Sequence, residues 1–259
     1  MPRAMSYPQL FAEPVPRRAR SAHESAPASD LAQGHRERMR QRMLEGGGEA
    51  FLDYELLEYI LALAIPRRDV KPLAKRLIAR FGSYAATISA DPSALDAFKG
   101  EAPGNEARLT EGSIAALKFV HASALRLLRE GAVRRDVIAG WDALIQYLHA
   151  AQAHVLREQF RVLFLNARNY VLDDRVLGEG TIDQAPVYTR EIVKRALDIG
   201  ATALILVHNH PSGDPTPSAA DIALTRDIAN VGKALGLHVH DHVIIGRTGH
   251  ASLRALGLF

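Results

Sequence analysis

The sequence predicts an α/β (α+β) protein: a helical section followed by a section in which strands and helices alternate. Three observations carry that prediction. Apolar residues recur at helical spacing between residues 35 and 132. From about Val133 onward, short continuous apolar runs such as Ala203–Val207 alternate with amphipathic stretches. The 259-residue chain is 47% hydrophobic and 24% charged, the balance of a globular protein that buries a core.

Residues 1–34 mix Pro, Arg, Ala and Ser with no period, as in Phe11-Ala-Glu-Pro-Val-Pro-Arg-Arg, and read as a disordered leader. Residues 1–45 hold eight Arg against five acidic side chains, which accounts for the whole net charge of +3. That basic stretch is a solvated tail or a weak contact for a phosphate backbone. Residues 35–132 then read as a small helical bundle. Leu52, Leu56, Leu57, Ile60 and Leu61 recur at helical spacing, and Val70–Phe81 repeats the habit with Leu73, Leu77 and Ile78. Gly82 suits a helix stop and Ser83 the next N-cap. Ala115–Leu128 is a further amphipathic helix.

Residues 133–259 form the third section. Trp141–Leu148 is expected as a helix and Phe160–Leu165 as a buried strand. Asn166–Asn169 makes a turn into a hairpin partner, Tyr170–Leu177. Thr189–Ile199 is a helix and Ala203–Val207 a central strand. A long helix from Ser218 to Leu235 and a strand, His238–Ile245, complete the section.

Several function classes fall away at once. The chain has no cysteine, so disulfide frameworks, thiol catalysis, Fe–S clusters and Cys-based zinc fingers are excluded, and any metal must rest on His and carboxylates. No apolar run approaches the ~20 residues of a membrane helix. Met1–Glu13 lacks an apolar signal core, so a cytoplasmic location is expected. Gly46–Gly48 lacks a following Lys-Ser/Thr pair and is no phosphate loop.

The chemistry lies where the central strand ends. His208 and His210 are two apart, so on a strand both imidazoles leave one face. A Pro- and Gly-rich stretch turns the chain, and Asp221 falls in the first turns of the next helix, able to aim its carboxylate back over the strand end. Two His and one carboxylate leave tetrahedral zinc a fourth position for water, the layout of a catalytic site. Ser218 and Asp221 also satisfy a capping box, and Thr216 with Pro217 offers a second way to start the helix.

His208-x-His210-Pro211, six residues, then Ser218-x-x-Asp221 resembles the JAMM motif of JAB/MPN-type zinc metallopeptidases. The wider context is similar to the bacterial RadC (UPF0758) family: Arg190-Glu-Ile-Val, Ala203–Val207, His208-Asn-His-Pro-Ser-Gly-Asp and Asp241-His-Val-Ile-Ile-Gly246. Asp53-Tyr-Glu-Leu-Leu-Glu and Arg68-Asp-Val-Lys-Pro-Leu extend it into the helical section, so that it covers about residues 35–259. Thr189 stands where the family usually has Pro, and Asn166 where Asp is common.

The resemblance implies a JAB/MPN-like, cytidine-deaminase-like mixed sheet flanked by helices, preceded by a helix-hairpin-helix-like domain. It implies Zn2+ held by His208, His210 and Asp221, with Ser218 donating a hydrogen bond to the oxyanion. An upstream Glu would be the general base. Glu158, at the start of a strand, is the first candidate, and Glu179, between Gly178 and Gly180, is the rival. The implied activity is hydrolysis of an amide bond in a peptide or protein substrate. The family's traditional label is a DNA repair or recombination accessory, with DNA contact through the helical domain and the basic leader. The candidate hairpin, Leu109–Leu117, keeps only Gly112 of the usual turn, and Glu111 has the wrong sign for a phosphate.

His238, His240 and His242 alternate, so one strand face is expected to carry three imidazoles. They would form a second metal site, an exposed face, or a pairing with Asp241 that supports the first site from behind.

Overall fold

In a computed structural model the described residues are 28–99, 107–133, 136–137, 139–180 and 188–259. Most of the expected leader lies outside them. Helix α1, Ala28–Gly46, nevertheless starts seven residues before the expected onset at 35. Its sequence has no apolar stripe. It is built from good helix formers and i,i+4 contacts such as the 2.8 Å bond from Gln41 to Glu45. Met39 anchors it, only 2% exposed, and His35 Nε2 lies 2.9 Å from the buried Glu58 carboxylate.

After a 3-10 turn at Gly48–Ala50 come α2 (Asp53–Ala64), α3 (Lys71–Phe81), α4 (Tyr84–Ser89), α5 (Pro92–Phe98) and α6 (Glu111–Val133). Leu57, Leu61, Leu73, Leu77, Leu95 and Leu117 interlock as their common core. The expected punctuation between α3 and α4 is present. Gly82 closes α3 at φ 95°, and Ser83 Oγ accepts from Ala86 N at 3.0 Å. The sequence did not single out α4 and α5, which are too short to show a period. Caps define them instead: Asp91 accepts from Ser93 N at 2.8 Å, with Pro92 in the first turn of α5.

The rest of the chain runs α7 (Trp141–Gln152), β1 (Glu158–Leu165), β2 (Val171–Gly180), α8 (Thr189–Asp198), β3 (Ala203–Asn209), α9 (Ala219–Ala234), β4 (His238–Ile245) and β5 (His250–Ser252). The strands form one mixed sheet in the order β2-β1-β3-β4-β5. Only β3 and β4 are parallel, joined by α9 as the crossover. All of β3 is buried. One sheet face, with Leu163, Ile205, Val207 and Val243, packs with Leu144 and Leu148 of α7. The other, with Phe160, Val162, Leu204 and Leu206, packs with Ile192 of α8 and Ile228 of α9.

Both departures from the family pattern have local uses. Asn166 Oδ1 accepts from Arg168 N at 2.9 Å and from Tyr170 N at 3.1 Å, closing the β1–β2 turn in which Asn169 takes φ 58°. Thr189 Oγ1 donates to Asp227 at 2.6 Å and ties α8 to α9. None of the described helices is long and apolar enough to cross a membrane.

Candidate metal centre

The site is assembled at the carboxyl end of β3. His208 lies opposite Phe160 of β1 and stacks on its ring, with centroids 6.3 Å apart and planes 14° apart. His210 is one residue past the strand, its N–H donating to Ile245 O at 3.0 Å. The chain then turns at Gly213, φ 94°, a backbone conformation that glycine adopts without strain. Gly213 N donates back to His210 O at 2.9 Å. Ser218 starts α9 in the anticipated capping box. Its Oγ accepts from Asp221 N at 3.2 Å, and Asp221 Oδ2 accepts from Ser218 N at 2.8 Å. The capping and metal-ligand readings are therefore one arrangement, because the box aims the Asp221 carboxylate at the strand end.

His208 Nε2 and His210 Nε2 are 2.9 Å apart. Asp221 Oδ1 lies 3.2 Å from the first and Oδ2 3.6 Å from the second. Ligands at ~2.0–2.1 Å from a tetrahedral ion stand ~3.3 Å from one another, so these separations fit a shared cation. Proton accounting supports the same fit. His210 Nδ1 faces the Asp214 carbonyl at 2.7 Å, and a carbonyl only accepts, so Nδ1 carries the proton. In neutral His210 the Nε2 atom is then a lone pair. With Asp221 it forms a cluster of acceptors that a cation can satisfy, and these three residues can together hold a metal ion. His208 is only 1% exposed, whereas His210 and Asp221 keep 19% and 13%, so the cluster is closed behind and open in front.

Electrostatics follow from this crowding. Burial alone would push the Asp221 carboxyl up, but the His208 and His210 imidazoles beside it outweigh burial and hold it far below the usual carboxylate range. The bond to Asp221 raises the His210 imidazole above its ordinary value, with Glu158 adding to the effect.

The two candidate bases lie on different faces of the sheet. Alternation along β1 puts Glu158 on the face of Phe160, the face that meets His208, and its charge reaches His210. Glu179 pairs with Gln159, whose side-chain amide donates to it at 2.7 Å, and so belongs to the opposite face.

Asn209 was missed as a positioning residue. Its Oδ1 accepts from Gln159 N at 2.9 Å and its Nδ2 donates to Arg157 O at 3.0 Å, clamping the start of β1 beside the site. Its place between the two histidines was the only signal.

The expectation of three imidazoles on one face of β4 is corrected. The β3–β4 register slips between Leu204 and Ile205, leaving His240 as an inserted residue. Val239 and Val243, which a regular strand would put on one face, pack into opposite cores. His240 Nε2 reaches Asn169 Oδ1 at 2.8 Å, His238 is exposed, and only His242 turns to the site. The Asp241 carboxylate accepts from Ser252, at 2.5 Å, and from the backbone N–H groups of His242, at 2.7 Å, and Arg254, at 3.1 Å, rather than from an imidazole.

Fold and cluster together define a JAB-type domain, and a family model described as a RadC-like JAB domain matches residues 138–258. The chain is also 51% identical to a UPF0758 protein of Rhodobacter capsulatus over 220 residues, covering 85% of this chain and 99% of that protein. It belongs to the RadC (UPF0758) family.

Proposed function

We propose that the chain is a zinc-dependent hydrolase of the JAMM type, a peptidase or isopeptidase acting on amide bonds in a peptide or protein. The observation that carries this reading is the convergence of two imidazole nitrogens and a carboxylate within 3.6 Å at a strand end open to solvent on one side. His208, His210 and Asp221 would hold zinc, which supplies Lewis acidity and brings a water's pKa down to about 7. Glu158, on the sheet face that meets His208, accepts the proton of the attacking water and passes it to the leaving amine. The Ser218 hydroxyl, whose oxygen accepts from the Asp221 amide, keeps its proton to donate to the carbonyl oxygen as charge develops there. Such a donor is worth about 3 kcal/mol.

The alternative, a DNA-associated accessory whose metal domain is structural or regulatory, draws on the basic balance of residues 1–45. Glu111 weakens it by placing a carboxylate in the first turn of α6, where a phosphate would approach. That alternative predicts steep salt-dependent DNA affinity indifferent to zinc.

The test is incubation with a complex peptide mixture, reading new termini by mass spectrometry. New termini should require zinc, vanish in Glu158→Gln by roughly 10²–10⁴-fold, and persist in Glu179→Gln. Loss in Glu179→Gln alone would move the base to the other face of the sheet. Cleavage indifferent to chelation would end the zinc reading.

A further inference from the structure

Behind the candidate ligands runs a chain of four polar groups, and one order of protons gives each of its three contacts both a donor and an acceptor. Thr225 Oγ1, one turn along α9 from Asp221, lies 2.6 Å from the Asp221 carbonyl oxygen. A carbonyl accepts only, so the Thr225 hydroxyl spends its proton there. The same oxygen lies 2.6 Å from His242 Nδ1, and with its proton committed it can only accept, so His242 carries its proton on Nδ1. Its Nε2 is then a lone pair, 2.8 Å from His208 Nδ1, which must be the donor. His208 is thereby left with its Nε2 lone pair facing His210 and Asp221. Thr225 and His242 are fully buried, so no solvent competes for these bonds.

We propose that His242 and Thr225 are positioning residues that lock His208 into its Nδ1–H tautomer, so that Nε2 is ready as a ligand atom before any metal arrives. A buried imidazole takes the place of the carboxylate or backbone carbonyl that usually orients a ligand histidine from behind. The benefit for zinc rests on the zinc reading above, whereas the tautomer assignment does not.

The experiment has two arms on the full chain. In the metal-free protein, imidazole nitrogen shifts by NMR should report His208 protonated at Nδ1 in the wild type and in Thr225→Ser, which keeps the hydroxyl. Thr225→Val, nearly the same shape without it, should shift His208 toward a mixture of tautomers. In chelator competition, His242→Phe should bind zinc roughly 10–100-fold more weakly than wild type, Thr225→Val should fall in the same direction, and Thr225→Ser should recover. Circular dichroism checks folding, and the conservative Thr225 pair keeps the test decisive if His242→Phe does not fold. His208 still protonated at Nδ1 in Thr225→Val, together with undiminished zinc affinity in the folded variants, would overturn the proposal. Failure of the zinc reading looks different: wild type and His208→Ala would bind zinc equally poorly, while the tautomer shift would still decide the role of Thr225.

Discussion

A Cβ on Gly246 would stand 2.5 Å from the carbonyl oxygen of Gly213. Gly246 directly follows β4, and Gly213 is the pivot of the loop that carries His210 toward α9. Arg247 reinforces the approach, its N–H donating to Gly213 O at 3.0 Å and its guanidinium to Pro211 O at 3.1 Å. The end of β4 therefore sets the loop's path, and through it the Asp214 carbonyl that orients His210.

Gly246→Ala should push the loop away and weaken zinc binding by tenfold or more while the sheet persists, since backbone cannot yield as a flexible side chain can. Gly249→Ala, where nothing lies within 4 Å of the new methyl, is the control. Chelator competition on the two variants checks this, and equal affinities would mean that the loop does not depend on the close approach.

Zinc affinity should fall as pH falls, and the fall should begin above pH 6.5. The His210 pKa is raised from 6.5, chiefly by its hydrogen bond to Asp221, so in the metal-free chain a proton occupies Nε2 below that raised value. Zinc must displace it. Asp221, held far down, adds no competition in this window. Below the raised value each pH unit should cost about tenfold in apparent affinity, from the one displaced proton. Competition titrations between about pH 5.5 and 8 measure this. A flat affinity down to about pH 6 would contradict the geometry drawn for His210 and Asp221.

Met39→Ala should cost about 2–5 kcal/mol, because the side chain is 2% exposed and its loss leaves a cavity. Thermal melting with the neighbouring exposed Arg40→Ala as reference tests it. A difference below about 1 kcal/mol would mean that α1 is not docked as described.

The same helix shows where sequence reading ran out. Where an element long enough to show a period buries an apolar face, as for Leu73 and Leu77 in α3 or Ala203–Val207 in β3, the pattern was legible, because burial selects the residue type at every second or third position. Among its described side chains helix α1 buries Met39 alone, so local propensity and that methionine define it, and no period announces it. The His-x-His and Ser-x-x-Asp spacings brought the candidate ligands together on paper because strand and helix geometry fix those offsets. The partners behind them were not legible. Thr225 and His242 meet across α9 and β4, and a bulge at His240 undoes the alternation that a strand sequence suggests. A register slip is a property of two strands at once, and no single stretch encodes it.

His208, His210 and Asp221 are expected to hold one zinc ion. The direct measurement is zinc per chain by elemental analysis, on wild type, His208→Ala, Asp221→Ala and the double variant His208→Ala/His210→Ala, each checked for folding. About one zinc is expected in the wild type and almost none in the variants, because the two or fewer remaining ligands hold the ion poorly. Full zinc occupancy in the folded double variant would contradict that expectation.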